Sequence, residues 1–229
     1  DVSSYADFAV RTAGPDVSLS GLKVVIDAAN GAGVSAAEPV FRSLGAEVIM
    51  LADVPDGVNI NTKCGALHPE GLSEVVRANS ANVGIAFDGD ADRILVVDEN
   101  GEVADGDQIM GAIAIDAKAQ GRLAGDTVVA TIMSNLGLEG ALSREGIKLE
   151  RTKVGDRYVV ERLREGGFSI GGEQSGHVVL ADHVTTGDAI IAAIAVLSIM
   201  VREGKKASEV LSVFEPVPQL LENVRYQSD

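Results

Sequence analysis

Short apolar runs alternate with amphipathic stretches and polar turns along this chain, a pattern typical of alternating strands and helices. Residues 22–27 and 47–51 have the character of buried strands. The segment between them has helical spacing, and Ser35 and Glu38 stand at the positions of a capping box, so we expect a helix that begins there and ends before Gly45. A strand, a helix and a strand in this order predict a parallel β-α-β unit.

A second unit with the same order of segments follows roughly 100 residues later. Residues 127–132 are predicted as a strand, and Asn135-Leu-Gly follows it as Asn30-Gly follows the first strand. Gly146 closes the next helix, before a strand at residues 147–151. Internal similarity on this scale predicts two domains of one fold. The predicted fold class is therefore α/β, with two similar three-layer α/β/α domains whose mixed sheets are mainly parallel.

The boundary between the predicted domains falls near residues 102–107, after an apolar strand and a Glu-Asn-Gly turn. The first domain then comprises residues 1–103 and the second residues 104–215. Two prolines beyond that point predict an exit linker. Residues 216–229 would hold this linker and, at residues 220–226, the first strand of a further domain.

The composition suits a globular α/β protein and narrows the choice of partners. Hydrophobic residues make up 46% of the chain but aromatic residues only 3%, so the core must be largely aliphatic. The net charge of −15 argues against nucleic acid and against an anionic membrane as partners, because both require a basic surface. Any bound phosphate must rely on local cations, backbone amides or a metal ion.

The single cysteine and the lengths of the apolar segments bear on the cellular location of the protein. Cys64 is the single cysteine, which excludes an intramolecular disulfide and favours a reducing, cytoplasmic location. Residues 1–16 lack the apolar segment of a signal peptide, and the most apolar run, residues 189–201, is too short to span a bilayer. Because the chain begins at Asp1 rather than Met, we expect an excised piece of a longer protein.

The most informative motif is Asp88-Gly-Asp90-Ala-Asp92-Arg93, which lies between apolar strands at residues 83–87 and 94–97. Three carboxylates at alternate positions repel one another unless a divalent cation lies among them. Hard oxygen ligands suit Mg²⁺ or Ca²⁺, and loops at the carboxyl ends of strands carry the sites of α/β proteins. We therefore predict that Asp88, Asp90 and Asp92 bind a divalent metal ion.

This motif has three other interpretations. An EF-hand requires glycine at the sixth loop position, where this chain has Arg93, although Glu99 stands at the twelfth. Phosphatases similar to haloacid dehalogenase carry Asp-x-Asp-x-Thr after an apolar strand, and Asp92 stands in the place of that threonine. A solvated acidic turn is the third alternative.

A glycine-rich turn at residues 171–177 is the second candidate site. Its Glu173, Ser175 and His177 supply an acceptor, a donor and a titratable group that suit the hydroxyls of a sugar, while its glycines permit close approach of a ligand. An ordinary hairpin turn with polar decoration explains the same residues. Lys153, two residues before a glycine at a strand-to-helix turn, could meet a phosphate, and a solvated turn is the alternative.

Gly31-Ala-Gly33 follows a strand and opens a helix, as the fingerprint of a dinucleotide-binding domain does, and Asp53 lies at the distance expected for a ribose ligand. However, residues 28–30 intervene between the strand and the first glycine, and the second unit does not reproduce the glycine spacing. The alternative is a helix start that only shapes the domain. A nicotinamide site therefore stays a minor interpretation.

The two main motifs, in this order and with this separation, resemble those of the α-D-phosphohexomutase superfamily. Its metal loop reads Asp-Gly-Asp-x-Asp-Arg and its sugar loop reads Gly-Glu-x-Ser-Gly-His. Other stretches are similar to the phosphoglucosamine mutase branch, and the resemblance covers nearly the whole chain: Gly57-Val-Asn-Ile-Asn61, Cys64-Gly65, Gly106-Asp-Gln-Ile-Met110, Met133-Ser-Asn135, Lys153-Val-Gly-Asp-Arg-Tyr158 and Thr185-Thr-Gly-Asp188.

The resemblance implies that this chain corresponds to the second and third of four domains. The family's first domain carries a phosphoserine followed by histidine, and its fourth an Arg-x-Ser-Gly-Thr-Glu-Pro-like phosphate loop; neither pattern occurs in these 229 residues. The implied activity is an Mg²⁺-dependent interconversion of glucosamine 6-phosphate and glucosamine 1-phosphate through a bisphosphate, an isomerase step in amino-sugar and cell-wall precursor metabolism. We expect the chain to be inactive by itself.

The resemblance also assigns roles to individual residues. The aspartates would hold Mg²⁺ against the phosphoserine, Arg93 and Lys153 would assist catalysis near the phosphate, and the sugar would be bound by Glu173, Ser175 and His177. The expected partners are a phosphorylated hexosamine and domains one and four of the same chain, with a homodimer as an open question. A glucose or mannose phosphomutase is the main alternative, followed by a dehalogenase-like phosphatase, a nicotinamide-binding domain and a non-catalytic sugar-binding module.

Overall fold

The computed structural model describes residues 1–220, and most of the strand predicted at residues 220–226 lies outside this range. Helices and strands alternate along the chain in the following order: α1 (Val2–Thr12), β1 (Lys23–Asp27), α2 (Ala37–Ser43), β2 (Glu47–Leu51), α3 (Glu70–Ala78), β3 (Val83–Phe87), β4 (Ile94–Asp98), β5 (Val103–Ala104), α4 (Gly106–Ala119), β6 (Thr127–Thr131), α5 (Leu136–Arg144), β7 (Lys148–Thr152), α6 (Asp156–Gly166), β8 (Ile170–Gly172), β9 (Val178–Leu180), α7 (Ala189–Glu203) and α8 (Ala207–Leu211).

The described strands form two mixed sheets that share a four-stranded topology, and β5 extends the first sheet beyond it. The first has the order β2-β1-β3-β4-β5, in which β1 pairs in parallel with β2 and β3, and β4 pairs with β3 in antiparallel. The second has the order β7-β6-β8-β9, in which β6 is parallel to β7 and β8, and β9 is antiparallel to β8. The predicted fold class, the parallel β-α-β units and the internal repeat are therefore confirmed.

The two domains share their middle layer of helices. In β1, Val24 and Ile26 join a large core cluster that also contains residues of α4 and α7, whereas Val25 faces the opposite way, into a smaller cluster with α3. In β6, Val128 belongs to that same large cluster and Val129 packs with α6. Since side chains alternate across a strand, each sheet has one outer helix layer and one inner layer. The inner layers merge into one apolar core.

Local helix starts differ from the sequence prediction at one point. The capping box at Ser35 and Glu38 is wrong: Ser35 ends a 3-10 helix, Ala32–Ser35, and α2 begins two residues later without a side-chain cap. Glu38 instead pairs with Arg42 one turn further along α2, at 2.8 Å. Gly45 follows the end of α2 with φ of +98°, as predicted for the residue that closes a helix.

Within residues 1–220, we find no helix that combines the length and the apolar character needed to cross a membrane.

Candidate metal and sugar site

The two candidate loops occupy equivalent places in the two sheets. Residues 88–93 connect β3 to β4, and residues 173–177 connect β8 to β9, so each loop joins the last parallel strand to its antiparallel neighbour. The loops also meet each other: the backbone N–H of Ile94 donates to the carbonyl of Gly176 at 3.0 Å. The sequence predicted them in separate domains, and the structure joins them into one surface.

The carboxylates of the first loop converge. Asp88, Asp90 and Asp92 each offer an oxygen, and these oxygens all lie within 4.8 Å of one another. Opposite ligands of an octahedral Mg²⁺ lie about 4 Å apart, since each Mg–O bond is about 2.1 Å long. Small side-chain rotations would therefore bring the three oxygens into one coordination shell.

An asparagine adds a polar atom to this place. Oδ1 of Asn61 is buried without a hydrogen-bond partner among the described residues, and Asn61 lines the same cavity as the three aspartates. A buried, unpaired amide oxygen is costly unless a ligand satisfies it. The donor set, three carboxylates and an orphaned amide oxygen, fits a hard divalent cation with its waters.

A close backbone contact holds the metal loop in shape. The N–H of Ala32 donates to the carbonyl of Gly89 at 2.8 Å, so the start of the 3-10 helix binds the loop directly. A Cβ on Gly31 would overlap this carbonyl, and one on Gly33 would lie 2.9 Å from the ring of Phe87. The glycines of the dinucleotide-like motif thus make room for the metal loop, and the helix start is already used inside the chain.

Burial places an electrostatic cost on the empty loop. Removal from water, together with the neighbouring charges of Asp92 and Asp90, raises the pKa of Asp88 to about 6, and the backbone N–H of Arg93 partly opposes this rise. The Nε of Arg93 lies 3.8 Å from oxygens of both Asp88 and Asp92. Arg93 is half-exposed, so these ion pairs compensate the repulsion only weakly.

This cost predicts a pH-dependent effect of Asp88→Asn in the absence of divalent metal. A raised pKa in the folded state means that the charged form of Asp88 destabilises the fold. The penalty is absent below the unfolded pKa, near 4, grows through pH 6 and is complete above it. Asp88→Asn should therefore raise the free energy of unfolding by about 1 kcal/mol at pH 8, after allowance for solvent screening, and by almost nothing at pH 4.

Urea denaturation in EDTA at pH 4, 6 and 8 measures this difference. If Asp88→Asn is no more stable than wild type at pH 8, or is more stable only at pH 4, then the charge of Asp88 does not destabilise the fold as assigned here.

The second loop is anchored by its own domain. Oε1 of Glu173 accepts a hydrogen bond from the N–H of Gly155, at the start of α6, at 3.0 Å. The side chain of Gln174 donates to Oδ2 of Asp105 at 3.2 Å, and the N–H of Gly106 donates to the Gln174 carbonyl at 3.0 Å. The N-terminus of α4 therefore supports the loop backbone, while Glu173 is fixed through one of its two carboxylate oxygens.

Two adjacent cavities lie between the two loops. One cavity of about 420 Å³ is lined by the three aspartates and by Asn61, and a second of the same volume by Glu173 and the neighbouring loops. Both cavities share Arg93, Gln174 and Ser175. Each cavity lies within the usual size range of small-molecule sites, and the cleft that they form together has acidic groups at one end and a hydrogen-bonding loop at the other.

The two remaining predicted site residues, Lys153 and His177, differ in their exposure. Lys153 is exposed, and its Nζ lies 5.8 Å from the centre of the Tyr158 ring, outside the residues that line the two cavities. His177 is buried, and both of its ring nitrogens are engaged within the chain. The roles predicted for the individual site residues remain predictions.

The sequence interpretation missed Asn61 and the support of the sugar loop by Asp105. Asn61 lies within the run Gly57-Val-Asn-Ile-Asn61, whose only signal in the sequence is the family resemblance. Its φ of +58° marks a tight turn that asparagine tolerates better than most residues. Asp105 has the sequence signature of a helix N-cap, but nothing in the sequence indicates that it also contacts Gln174.

Comparison with known proteins gives consistent matches over the whole described fold. Residues 4–101 match the family description "Phosphoglucomutase/phosphomannomutase, alpha/beta/alpha domain II", and residues 105–217 match "alpha/beta/alpha domain III" of the same family. A phosphoglucosamine mutase of Ruegeria sp. (strain TM1040) is 58% identical over 213 residues, which are 93% of this chain and 48% of that protein. One from Brucella anthropi is 54% identical over 225 residues, 98% of this chain and 50% of that protein.

Solved structures agree with these matches. A phosphoglucomutase/phosphomannomutase family protein from Burkholderia thailandensis superposes with a TM-score of 0.82 at 28% identity, over 94% of this chain and 47% of that one. An N-acetylphosphoglucosamine mutase from Aspergillus fumigatus, solved with GlcNAc-6P and magnesium, has the same fold with a TM-score of 0.72 at 21% identity, over 93% of this chain and 50% of that one. The chain spans about half the length of the curated relatives that it matches.

Proposed function

We propose a function for this chain from the premise that it belongs to the phosphoglucomutase/phosphomannomutase family, whose domains II and III it comprises. The proposed activity is that of a phosphosugar mutase, with glucosamine 6-phosphate and glucosamine 1-phosphate as its substrates. The observation that carries the proposal is the pair of adjacent cavities, with the acidic loop at one end and the Glu173 loop at the other. The relatives that are 58% and 54% identical to this chain are named phosphoglucosamine mutase, and their names support an amino sugar as the substrate.

In this proposal, Asp88, Asp90 and Asp92 would hold Mg²⁺, and Asn61, which lines the same cavity, would offer beside them its Oδ1, which has no partner among the described residues. A bound Mg²⁺ would neutralise charge on the phosphate that is transferred. Arg93 reaches both the acidic cavity and the sugar-facing one, so its guanidinium can hold phosphate oxygens over the cleft. The magnesium in the Aspergillus structure supports the choice of metal ion.

At the other end of the cleft, Glu173 accepts hydrogen bonds from ring hydroxyls and Ser175 contacts a neighbouring hydroxyl. A loop that binds the ring rather than either end of the sugar would tolerate both orientations, which a mutase requires if one substrate is to rebind as a bisphosphate with its ends exchanged. Lys153 would meet phosphate from the rim of the cleft. The domain boundaries at residues 103 and 215 and a homodimer remain part of the proposal.

No serine directly precedes a histidine in these 229 residues. We therefore expect that the residue that carries the phosphoryl group is not among them. Residues 1–229 should therefore bind the metal ion and the sugar phosphate without turnover. A glucose or mannose phosphomutase remains the second candidate, supported by the family description and by the Burkholderia relative. Competition between glucosamine 1-phosphate and glucose 1-phosphate for the cleft separates the two: preference for the glucose compound would favour this second candidate.

Calorimetric titration with Mg²⁺ tests the metal site. The wild-type chain should bind weakly, because three side chains fill only part of an octahedral shell. Asp90→Asn removes one of the three charges and should lower the affinity by at least about tenfold, or about 1.4 kcal/mol. Asp182→Asn, at an exposed aspartate outside both cavities, is the matched control and should bind as wild type does. Equal binding by Asp90→Asn would remove the metal site from this loop.

A further inference from the structure

The buried ring of His177 lies between the two loops, and only 2% of the residue is exposed. Its Nδ1 is 3.1 Å from Oδ2 of Asp92, and its Nε2 is 3.1 Å from the backbone nitrogen of Gly187. Both ring nitrogens are therefore engaged within the chain in this structure. The first of these contacts connects the imidazole directly to Asp92 of the metal loop.

The hydrogen bond from Gly187 decides which ring nitrogen carries the proton. A backbone N–H can only donate, so Nε2 must accept with its lone pair and cannot itself be protonated. The single proton of the neutral ring then lies on Nδ1, where it donates to the Asp92 carboxylate. The backbone of the second domain thus sets the tautomer that the first domain's metal loop requires.

Gly187 is fitted closely to this arrangement. A Cβ at this position would lie 2.7 Å from Cε1 and 2.8 Å from Nδ1 of His177, and 2.5 Å from the carbonyl oxygen of Asp92. Any side chain would therefore push the ring away from the N–H that fixes it. The φ of Gly187 is not in the left-handed region, so the requirement for glycine here comes from contact alone.

The segment that follows Gly187 is clamped to the same loop. The N–H of Ala189 donates to the carbonyl of Ala91 at 3.0 Å. Asp188 caps the start of α7 by accepting from the N–H of Ile191, and it also accepts from the hydroxyl of Tyr5 on α1, at 2.8 and 2.9 Å. Burial beside Asp188 raises the pKa of Tyr5, so that the hydroxyl keeps its proton and continues to donate. The start of α7 is thereby held in place behind the metal loop.

We infer that His177 is a positioning residue for Asp92: its Nδ1–H, fixed by the N–H of Gly187, aims the Asp92 carboxylate into the acidic cleft, so the cation site is built from both domains. Carboxylate ligands of metal ions are commonly oriented by such hydrogen bonds, and loss of the partner typically lowers metal affinity about 10–100-fold. The expected effect on metal affinity rests on the proposed metal site, whereas the tautomer of His177 does not depend on it.

The tautomer is measured without any metal ion. In long-range ¹H–¹⁵N spectra of the wild-type chain at neutral pH, His177 should show a protonated Nδ1 and an unprotonated Nε2. The chain has three histidines, and the missing signals of His177→Asn identify this one. A proton on Nε2, whether in the other neutral tautomer or in an imidazolium, overturns the inference even if every variant fails to fold.

Titration with Mg²⁺ measures the consequence. His177→Asn keeps an N–H donor near the position of Nδ1 and should bind within about threefold of wild type, whereas His177→Gln places its amide near Nε2 and should lose about tenfold or more. Gly187→Ala should lose a similar amount. His183→Asn, at an exposed histidine, is the matched control and should bind as wild type does.

The pattern of these results separates the two proposals. If Asp90→Asn abolishes binding but His177→Gln binds as wild type does, the metal site stands and the inference fails. If His177→Asn loses as much as His177→Gln, the ring acts by packing alone and the inference fails as well. Loss of binding in His177→Gln, with rescue in His177→Asn, supports it. If Asp90→Asn binds as wild type does, the proposed metal site fails, and the spectra alone decide the tautomer.

Discussion

Gly31→Ala is expected to abolish measurable Mg²⁺ binding by this chain, although residue 31 offers no ligand. The added Cβ would overlap the carbonyl of Gly89, which is backbone of the metal loop and cannot rotate away as a side chain could. Either the 3-10 helix start or the loop must move, and the hydrogen bond from the N–H of Ala32 to that carbonyl is lost. A shift of the loop separates the carboxylates of Asp88 and Asp90, which flank Gly89.

The same substitution should lower the free energy of unfolding by about 1–3 kcal/mol, the usual cost of overpacking. Gly71→Ala is the matched control, because a Cβ there meets nothing within 4 Å and the residue lies inside α3. It should stabilise the chain slightly, by about 0.5–1 kcal/mol, and leave Mg²⁺ binding unchanged. Wild-type affinity in Gly31→Ala would show that this contact does not shape the loop.

Glu173→Ala is expected to cause the largest loss at the sugar end of the cleft. The N–H of Gly155 fixes one carboxylate oxygen of Glu173, so the group is held in place before the sugar arrives. Removing an acceptor for one or two ring hydroxyls costs about 1–3 kcal/mol, which corresponds to a loss of affinity for glucosamine 1-phosphate of tens- to hundreds-fold. Glu173→Gln keeps one amide oxygen as acceptor and should lose less.

Mg²⁺ affinity should be unaffected by Glu173→Ala, since the anchor of this carboxylate lies at α6 and not at the metal loop. Glu165→Ala, at an exposed residue of the same helix, serves as the control for a general loss of charge. Unchanged sugar binding in Glu173→Ala, measured by calorimetry, would remove this loop from the site. An equal loss in Glu165→Ala would attribute the effect to net charge instead.

The fold could be predicted from the sequence where each element is specified locally. Apolar runs bounded by turns gave the strands, and Gly45 and Gly146, both with positive φ, marked the helix ends. The topology followed from strand-helix-strand order, because crossovers between parallel strands have few solutions. Ser35 was misleading because the chain needs a 3-10 turn there to reach the carbonyl of Gly89, and this tertiary contact overrides the capping preference.

The site was predictable as two separate motifs, but its assembly was not. The acidic cluster could be recognised because three carboxylates between buried strands repel one another unless a cation lies among them. The structure shows that these carboxylates converge. No local pattern indicates that His177 is buried against Asp92, a residue 85 positions earlier. Nor does one indicate that Gly187 must lack a side chain, since its reason is a contact with both of these residues. Such cross-domain contacts depend on how the inner helices pack.

The central claim is that the two loops form one site, and calorimetric titration of glucosamine 1-phosphate with and without saturating Mg²⁺ tests it most directly. If the metal ion and the phosphate of the sugar attract each other in the cleft, each raises the affinity of the other, and linkage makes the two factors equal. The account predicts an increase of about fivefold or more for the wild-type chain, and none for Asp90→Asn. Equal affinity for the sugar phosphate with and without Mg²⁺ in the wild-type chain would contradict it.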